Sequence, residues 1–292
     1  MSDVTNDSNH VIYGQQYSEN IMDLAQQKSS KLWETAYQKT DVRGKQFFQD
    51  QIGEWSMKKK AGRNPKTPAS DPNLSRRMTI MEDFHDNVLL DRSDELKILS
   101  DPKSSYTMAA GKAIGRQIDD VAIAALGGDA LTGETGSTTT PLPSTQKIAH
   151  GSVGLTFDKV KQAQRILNDN DVEVEDRYFV TSPQGIEDLM GEEKATSSDY
   201  TTLQAIQNGT FAGQSWMGFQ WIMSTRLIKT GNIRACYAYH KYGLCIGLPT
   251  GPLVRTGERE DLSYAWQVYY ELNIGATRLE EDRVVEVSID ES

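Results

Sequence analysis

The chain has 292 residues, 37% of them apolar, enough to bury a sizeable core as two compact units or one extended one. Its 41 acidic residues outnumber 31 basic ones, and the formal charge of −10 argues against free-standing binding to nucleic acid, whose phosphates would repel it. Two cysteines, Cys236 and Cys245, make no disulfide framework and suit a reducing cytoplasm; the opening MSDVTNDSNHVIYG lacks the basic start and apolar stretch of a leader, and no apolar run reaches the ~18 residues of a spanning helix, so no membrane partner is expected.

Residues 1–12 are polar, and Tyr17, Ile21, Leu24 and Ala25 then recur at helical spacing, predicting a short amphipathic arm within residues 1–30. Beyond Lys31 the period becomes two: Leu32, Glu34, Ala36 and Gln38 alternate with Trp33, Thr35, Tyr37 and Lys39, which predicts a half-buried strand turned back by residues 41–44. A second strand runs through Phe47, Phe48, Ile52, Trp55 and Met57. The stretch KKKAGRNPKTPASDPN at 58–73 has three prolines and no period, and is a loop. A third extended run spans Leu74 to Leu90, with Met78, Ile80, Phe84, Val88 and Leu89 as its apolar positions. Residues 44–90 thus form one long two-stranded hairpin, marginal alone in water, which predicts support from other copies of the chain. Residues 91–99 read as a short helical link.

The longest helical pattern spans Asp101–Gly128. Tyr106, Ala110, Ala113, Ile114, Ile118, Val121, Ala122 and Ala125 fall on one stripe, Asp101 and Pro102 suit its start, and Gly127 and Gly128 its end. About 24 residues give a rod of roughly 36 Å, a spine on which strands can lie. Lys112, Arg116 and Gln117 are left for solvent or an adjoining copy. Asp119 and Asp120 point about 100° apart and cannot work as a paired acid and base; Asp119 is expected to cap or bond a neighbouring strand. The following Gly/Ser/Thr/Pro-rich stretch reads as a flexible connector and domain boundary. From Leu155 an α/β unit begins: Thr156 caps a helix, Arg177–Val180 is a buried strand, Ser182 and Pro183 start a second helix, and residues 203–206 make a helical turn. Strands follow at Phe219–Ser224, Ile233–His240 and Leu244–Leu248. The last 30 residues give two long strands, with Gly275 marking a bend or bulge and at least one strand returning to the spine.

The sequence offers little for catalysis. Lys112 in AAGKAIG lacks the glycine spacing and preceding strand of a phosphate loop. Cys236, Cys245 and His240 lie within ten residues and are the candidates for a Cys–His nucleophile or a metal site. Their apolar strand context, RACYAYHKYGLCIG, favours cysteine as a small hydrophobe, and the four histidines, at 10, 85, 150 and 240, are scattered. No cofactor or metal is expected. The charge map carries more. Lys58, Lys59, Lys60, Arg63, Lys66, Arg76 and Arg77 against Asp71 give +6 around the hairpin tip, leaving −16 elsewhere. A basic tip can be a solvated loop, or can bind nucleic acid, although only Trp55 offers a stacking ring. On a long arm attached to an acidic body it suggests docking onto a neighbouring copy, with Glu82, Asp83, Asp86, Asp91, Asp94 and Glu95 as candidate receivers.

The order of arm, long basic-tipped hairpin, spine helix, Gly/Thr-rich link, α/β insertion and returning strands resembles the phage capsid protein family of tailed bacteriophages, the Hong Kong 97 fold. So do LAQQKSSKL, SSYTMAAGKAIGRQIDDVAIAALGG, GTFAGQSWMGFQWIMSTRL, CYAYHKYGLCIGLP and QVYYELNIGATRLEEDRVVEVSID, across roughly residues 15–290. The resemblance implies an α+β capsid fold: N-terminal arm at 1–30, a peripheral-domain strand at 31–43, the extended loop (E-loop) at 44–90, a peripheral domain with the spine helix at 91–150, an axial domain at 151–260, and C-terminal strands at 261–292 returning to the peripheral domain. It implies a major capsid protein without enzymatic activity, assembling in the host cytoplasm into hexamers and pentamers of an icosahedral virion shell around double-stranded DNA, which it touches weakly and non-specifically. Patterned sequence from residue 15 suggests a separate scaffolding protein; a portal and a decoration protein are the other implied partners. Some members crosslink a loop lysine to a neighbour, but lysines in the loop do not by themselves specify that reaction. An encapsulin-like compartment shell shares the fold and is the alternative, with a cysteine-dependent enzyme using Cys236 or Cys245 with His240 behind it.

Overall fold

The structure, a computed structural model, describes residues 26–64, 66–67, 69–90, 103–192, 213, 215–249 and 251–292. The predicted arm helix around Tyr17–Ala25, the link at 91–99, the Asp101/Pro102 helix start and the turn at 203–206 lie outside these residues.

The predicted strand at 32–39 divides in two. Trp33–Thr35 is a 3₁₀ turn, and only Tyr37–Lys39 is a strand (β1). Leu32, Thr35 and Ala36 are the buried residues, a spacing of three and four that belongs to a turn of helix rather than to alternation. Strands β2 (Gln46–Ile52) and β3 (Leu74–Ile80) pair antiparallel in full register. The run expected to continue unbroken to Leu90 instead breaks at Met81, which is buried. Beyond it, β4 (Glu82–Leu90) leaves the hairpin and enters another sheet. The free-standing hairpin is therefore 46–80, shorter than the 44–90 expected.

Helix α1 (Lys103–Gly127) is the predicted spine. Ala110, Ile114, Ile118 and Ala122 are buried as the stripe requires, joined by Ile123 and Leu126. Arg116 and Gln117 are half-buried, and Arg116 donates to Gln26 Oε1 at 2.7 Å. The stretch expected to be a flexible connector is instead folded. Strands β5 (Ala130–Thr132) and β6 (Thr138–Thr140) form a small hairpin on the edge of β3, followed by β7 (Lys147–Ile148). Gly136 explains part of this local choice: at φ +71 it makes the turn, and a side chain there would collide with Met78 of β3.

The α/β unit follows its sequence signals closely. Helix α2 (Phe157–Asp169) is capped by Thr156 and helix α3 (Pro183–Gly191) by Ser182, on either side of β8 (Arg177–Thr181). Strands β9 (Ser215–Trp216), β10 (Phe219–Met223), β11 (Lys229–Thr230) and β12 (Ile233–His240) follow, then β13 (Leu244–Gly247), β14 (Leu253–Arg259), β15 (Ala265–Arg278) and β16 (Val284–Asp290). The unit is built on a seven-stranded mixed sheet in the order β7-β16-β12-β8-β10-β9, with β11 paired to β12. The fourteen-residue β15 organises the second sheet, with β4 along one edge and β14 and β13 along the other; β1 pairs with β13. The third sheet is β2-β3-β5-β6.

The two C-terminal strands part company. β15 packs on α1, as expected, whereas β16 joins β12 in the α/β sheet. Gly275 makes no bulge: it stays in register opposite Gly247, and its missing side chain leaves room for the Ile80 carbonyl crossing above it. One hydrophobic core runs from α1 and β15 into the α/β sheet. Two buried charges pin the spine. Asp119, fully buried, accepts from Gln27 Nε2 (2.5 Å), Ser30 Oγ (2.6 Å) and the Lys31 and Leu32 amides (3.0 and 3.1 Å), the capping role expected of it. Arg278, also fully buried, donates to the carbonyls of Leu126 (3.1 Å) and Gly128 (2.6 Å) at the end of α1, and to Thr140 O (2.8 Å). A cation is well placed there because a helix ends in unpaired carbonyls and a partial negative charge.

Candidate functional site

The β2–β3 hairpin is held at its root and free at its tip. At the root, Phe47 packs with Val42, Met81, Cys245 and Leu279 in a small cluster apart from the main core. Gly247 lies under the Phe47 ring, where any side chain would collide with it. Polar ties add direction. Arg77, 8% exposed, donates from Nε to Leu279 O at 2.7 Å and from Nη2 to Glu281 Oε2 at 2.5 Å. Gln51 Nε2 reaches the same Leu279 carbonyl at 2.8 Å, and Lys39 Nζ donates to Phe48 O at 3.1 Å. A cleft of about 500 Å³ lies beside this root, between Gln49, Gln51 and Arg77 of the hairpin and Tyr242, Leu279 and Arg283 of the body.

The last rung is the Gly53 amide on Asn73 O at 2.7 Å. Around and beyond it the surface is apolar and basic together. Ile52 and Leu74, paired across the strands, are 73% and 71% exposed, Trp55 69% and Met57 100%. Lys58, Lys59, Lys60, Arg63 and Lys66 are exposed as well. Arg76 and Arg77, grouped with them from the sequence, stand apart: Arg76 forms a cross-strand ion pair with Asp50 at 2.5 Å, and Arg77 is buried against Glu281. Glu54 also lies in the tip, so five cations face Glu54 and Asp71 and the tip carries +3 rather than +6. The exposed Ile52/Leu74 pair was missed in sequence, where both read as ordinary strand positions; only the hairpin's reach past the body leaves them uncovered.

Of the acidic candidates, Glu82, Asp83 and Asp86 are exposed on β4. Asp86 accepts from Tyr270 Oη at 3.0 Å, and Asp83 from Asn273. Asp91, Asp94 and Glu95 lie outside the described residues.

Cys236, Cys245 and His240 do not form a reactive site. Cys236 and His240 are four residues apart on β12, about 13 Å along the strand at ~3.3 Å per residue. Cys236 is fully buried with its thiol 3.4 Å from Thr181 Oγ1, and burial pushes its pKa up to about 11. Cys245 sits in the hairpin root, pushed by burial up to about 12. His240 Nδ1 accepts from the Tyr242 amide at 3.3 Å, and burial lowers its pKa against the pull of Glu173. Protonated, enclosed thiols without an adjacent base cannot act as nucleophiles, which corrects the Cys–His alternative. Among the described residues no cluster of His, Cys, Asp or Glu could hold a metal, and no helix is long and apolar enough to cross a membrane.

Comparison with known proteins gives a consistent result. The family model described as phage capsid protein matches residues 10–291. No curated protein matches in sequence. Similar solved structures include the capsid of cyanophage P-SCSP1u (TM-score 0.74, 16% identity, 97% of this chain and 94% of that one) and Mycobacterium phage Che8 (0.72, 15%, 94% and 96%). The cyanophage Pam1 capsid is similar over 100% of this chain and 99% of that one, at TM-score 0.72 and 12% identity. At such identities the likeness establishes the fold. With the family match spanning nearly the whole length and this hairpin, spine and α/β body in place, the chain belongs to the phage capsid protein family, with the Hong Kong 97-like fold, and is a major capsid protein of the phage head shell.

Proposed function

We propose that the β2–β3 hairpin is the arm by which one copy grips the next in the shell, and that its tip, rather than its root, makes the contact. The observation that carries this is the apolar end formed by Ile52, Leu74, Trp55 and Met57, ringed by five cations and held on a root with its own small core. Several large apolar side chains exposed together at the end of an arm mark a contact surface for a partner. The cations set register and partner choice more than affinity, since rim charges are screened. Exposed carboxylates of a neighbour, among them Glu82, Asp83 and Asp86, are the proposed receivers. The expected parts are then the E-loop at the hairpin, a peripheral domain on α1 and β15, and an axial domain on the seven-stranded sheet. Copies join as hexamers and pentamers, without catalysis, and enclose double-stranded DNA inside an acidic wall on which it slides. Assembly in the host cytoplasm, a separate scaffolding protein, a portal and a decoration protein complete the proposal.

The test is charge reversal at the tip. The triple variant Lys58→Glu, Lys59→Glu, Lys60→Glu leaves the melting temperature unchanged and abolishes the large particles that the wild-type chain, with scaffolding protein if needed, gives in sedimentation. Particles of wild-type size and yield from the variant would overturn the role of the tip. Nucleic acid inside purified particles supports a phage head; protein cargo instead would favour a compartment shell.

A further inference from the structure

We infer that His240 is an acid-sensitive clamp where the seven-stranded sheet meets the β15 sheet: as a neutral ring it accepts two hydrogen bonds that tie the junction together, and as an imidazolium it accepts neither.

Two connections between these sheets run side by side at one place. β12 passes into β13 through the 3₁₀ turn Lys241–Gly243, and β15 passes into β16 through residues 279–283. The His240 amide donates to Arg283 O at 3.0 Å and the Leu279 amide to Gly243 O at 2.9 Å, so each connection is bonded to the other at both ends. They lie so close that a Cβ at Gly243 would stand 3.0 Å from Arg283 O. The turn between α2 and β8 joins them, with the Lys241 amide donating to Asp176 O at 3.0 Å.

His240 sits inside this junction, 3% exposed. Its Nδ1 meets two donors, the Tyr242 amide at 3.3 Å and Arg283 Nη1 at 3.1 Å. An amide N–H and a guanidinium donate and do not accept, so Nδ1 carries no proton and the ring hydrogen is on Nε2. Nε2 faces Glu173 Oε2 at 3.9 Å. Arg283 is itself held by Glu173 and Glu280, which keeps its charge beside the ring. A proton on Nδ1 would deprive both donors of their acceptor and set a second cation against the guanidinium. Of the influences on the ring, burial weighs most and lowers its pKa; Glu173 and Asp176 raise it, Arg283 and Arg177 lower it, and the net result is below the ordinary histidine value.

The sign of the pH dependence follows. With the junction closed, His240 binds a proton more weakly than with it open. The clamp therefore holds in full above the ordinary histidine pKa of about 6.5, and weakens by up to about tenfold per pH unit below it, until the lowered value is reached. Acid loosens this junction while parts of the chain without such a group keep their stability.

Nuclear magnetic resonance and hydrogen exchange on the full-length, unassembled chain test this. The ring nitrogen shifts should show His240 with its proton on Nε2 at neutral pH and a titration midpoint below about 6.5. The protection factor of the Tyr242 amide should be constant above that pH and fall roughly five- to tenfold by about pH 5.5, while that of the Gly128 amide, which donates to Ala124 O at 2.9 Å, does not change. His240→Asn offers a carbonyl oxygen in place of Nδ1 and does not titrate, so the protection remains and its fall with pH disappears. Arg283→Met should move the His240 midpoint upward, and serves if the asparagine variant fails to fold. A midpoint at or above about 6.5, a proton on Nδ1 at neutral pH, a fall that Gly128 shares, or a fall that persists in His240→Asn would overturn the clamp.

Discussion

Replacing Asp119 with asparagine is the sharpest test of how the spine is held. The carboxylate is fully buried in α1 and accepts from four donors of the segment 27–32 that leads into β1. Asparagine keeps the volume and one acceptor oxygen, but presents an NH2 group to donors that need an acceptor. Two donors then go unsatisfied, and since only the Leu32 amide among the four is fully buried, each costs about 1–2.5 kcal/mol, so the expected loss is about 2–5 kcal/mol. In a chain of this size each kcal/mol shifts the melting point by about 2 °C, so the transition should fall by roughly 4–10 °C. Urea and thermal unfolding of the unassembled protein, followed by circular dichroism, measure this, and the m-value should stay unchanged because the same surface is exposed on unfolding. A loss below about 1 kcal/mol would refute the account, since it would mean the segment at 27–32 finds other acceptors at little cost.

Three further outcomes follow from the same geometry. Gly275→Val places a side chain against the Ile80 carbonyl, and should cost about 1–3 kcal/mol by overpacking in urea unfolding; a change within 0.5 kcal/mol would refute the close crossing of the hairpin root over β15. Cys236 and Cys245 should resist a thiol reagent at about pH 8 in the folded protein and react only at the rate of unfolding; rapid modification of either would contradict their burial and raised pKa values. Glu291 has a lowered pKa: burial opposes the shift, but Ser182 (2.6 Å), Lys229 (3.0 Å) and Arg234 (2.7 Å) outweigh it. The folded state therefore binds fewer protons than the unfolded one between the two values. The stability from Glu291 is present above its usual pKa of about 4.3 and lost as pH falls through the lowered folded value; Glu291→Gln should flatten that limb of a stability profile, and an unaltered acid limb would count against it.

The elements that could be read in sequence are those whose causes are local. α1, α2 and α3 announced themselves by apolar spacing and, for the last two, by Thr156 and Ser182 as caps. β8 and β12 did so by buried β-branched and aromatic runs. What could not be read depended on contacts far along the chain. Trp33–Thr35 turns because Leu32, Thr35 and Ala36 pack together while Asp119, some 87 residues away, collects the preceding amides. The break at Met81 follows from the root cluster, which joins residues 42, 47, 81, 245 and 279. Residues 128–150 look like a linker by composition, and become strands because β3 offers an edge to β5 and β16 offers one to β7. Gly275 reads as a bulge in one dimension and proves to be a crossing in three. At the tip, the charged residues were visible, but Glu54 and the exposed Ile52/Leu74 pair were overlooked, and the burial of Arg77 depended on Glu281, 204 residues away.

The central claim, that the basic, apolar hairpin tip of one copy is seated on another, is tested most directly by cryo-electron microscopy of the assembled shell. If the tip is seated in this way, density for residues 53–73 lies against the body of a neighbouring subunit, with Trp55 and Met57 covered and Lys58–Lys60 facing carboxylates. A tip projecting into solvent, or folded back onto its own subunit, in every position of the shell would contradict it.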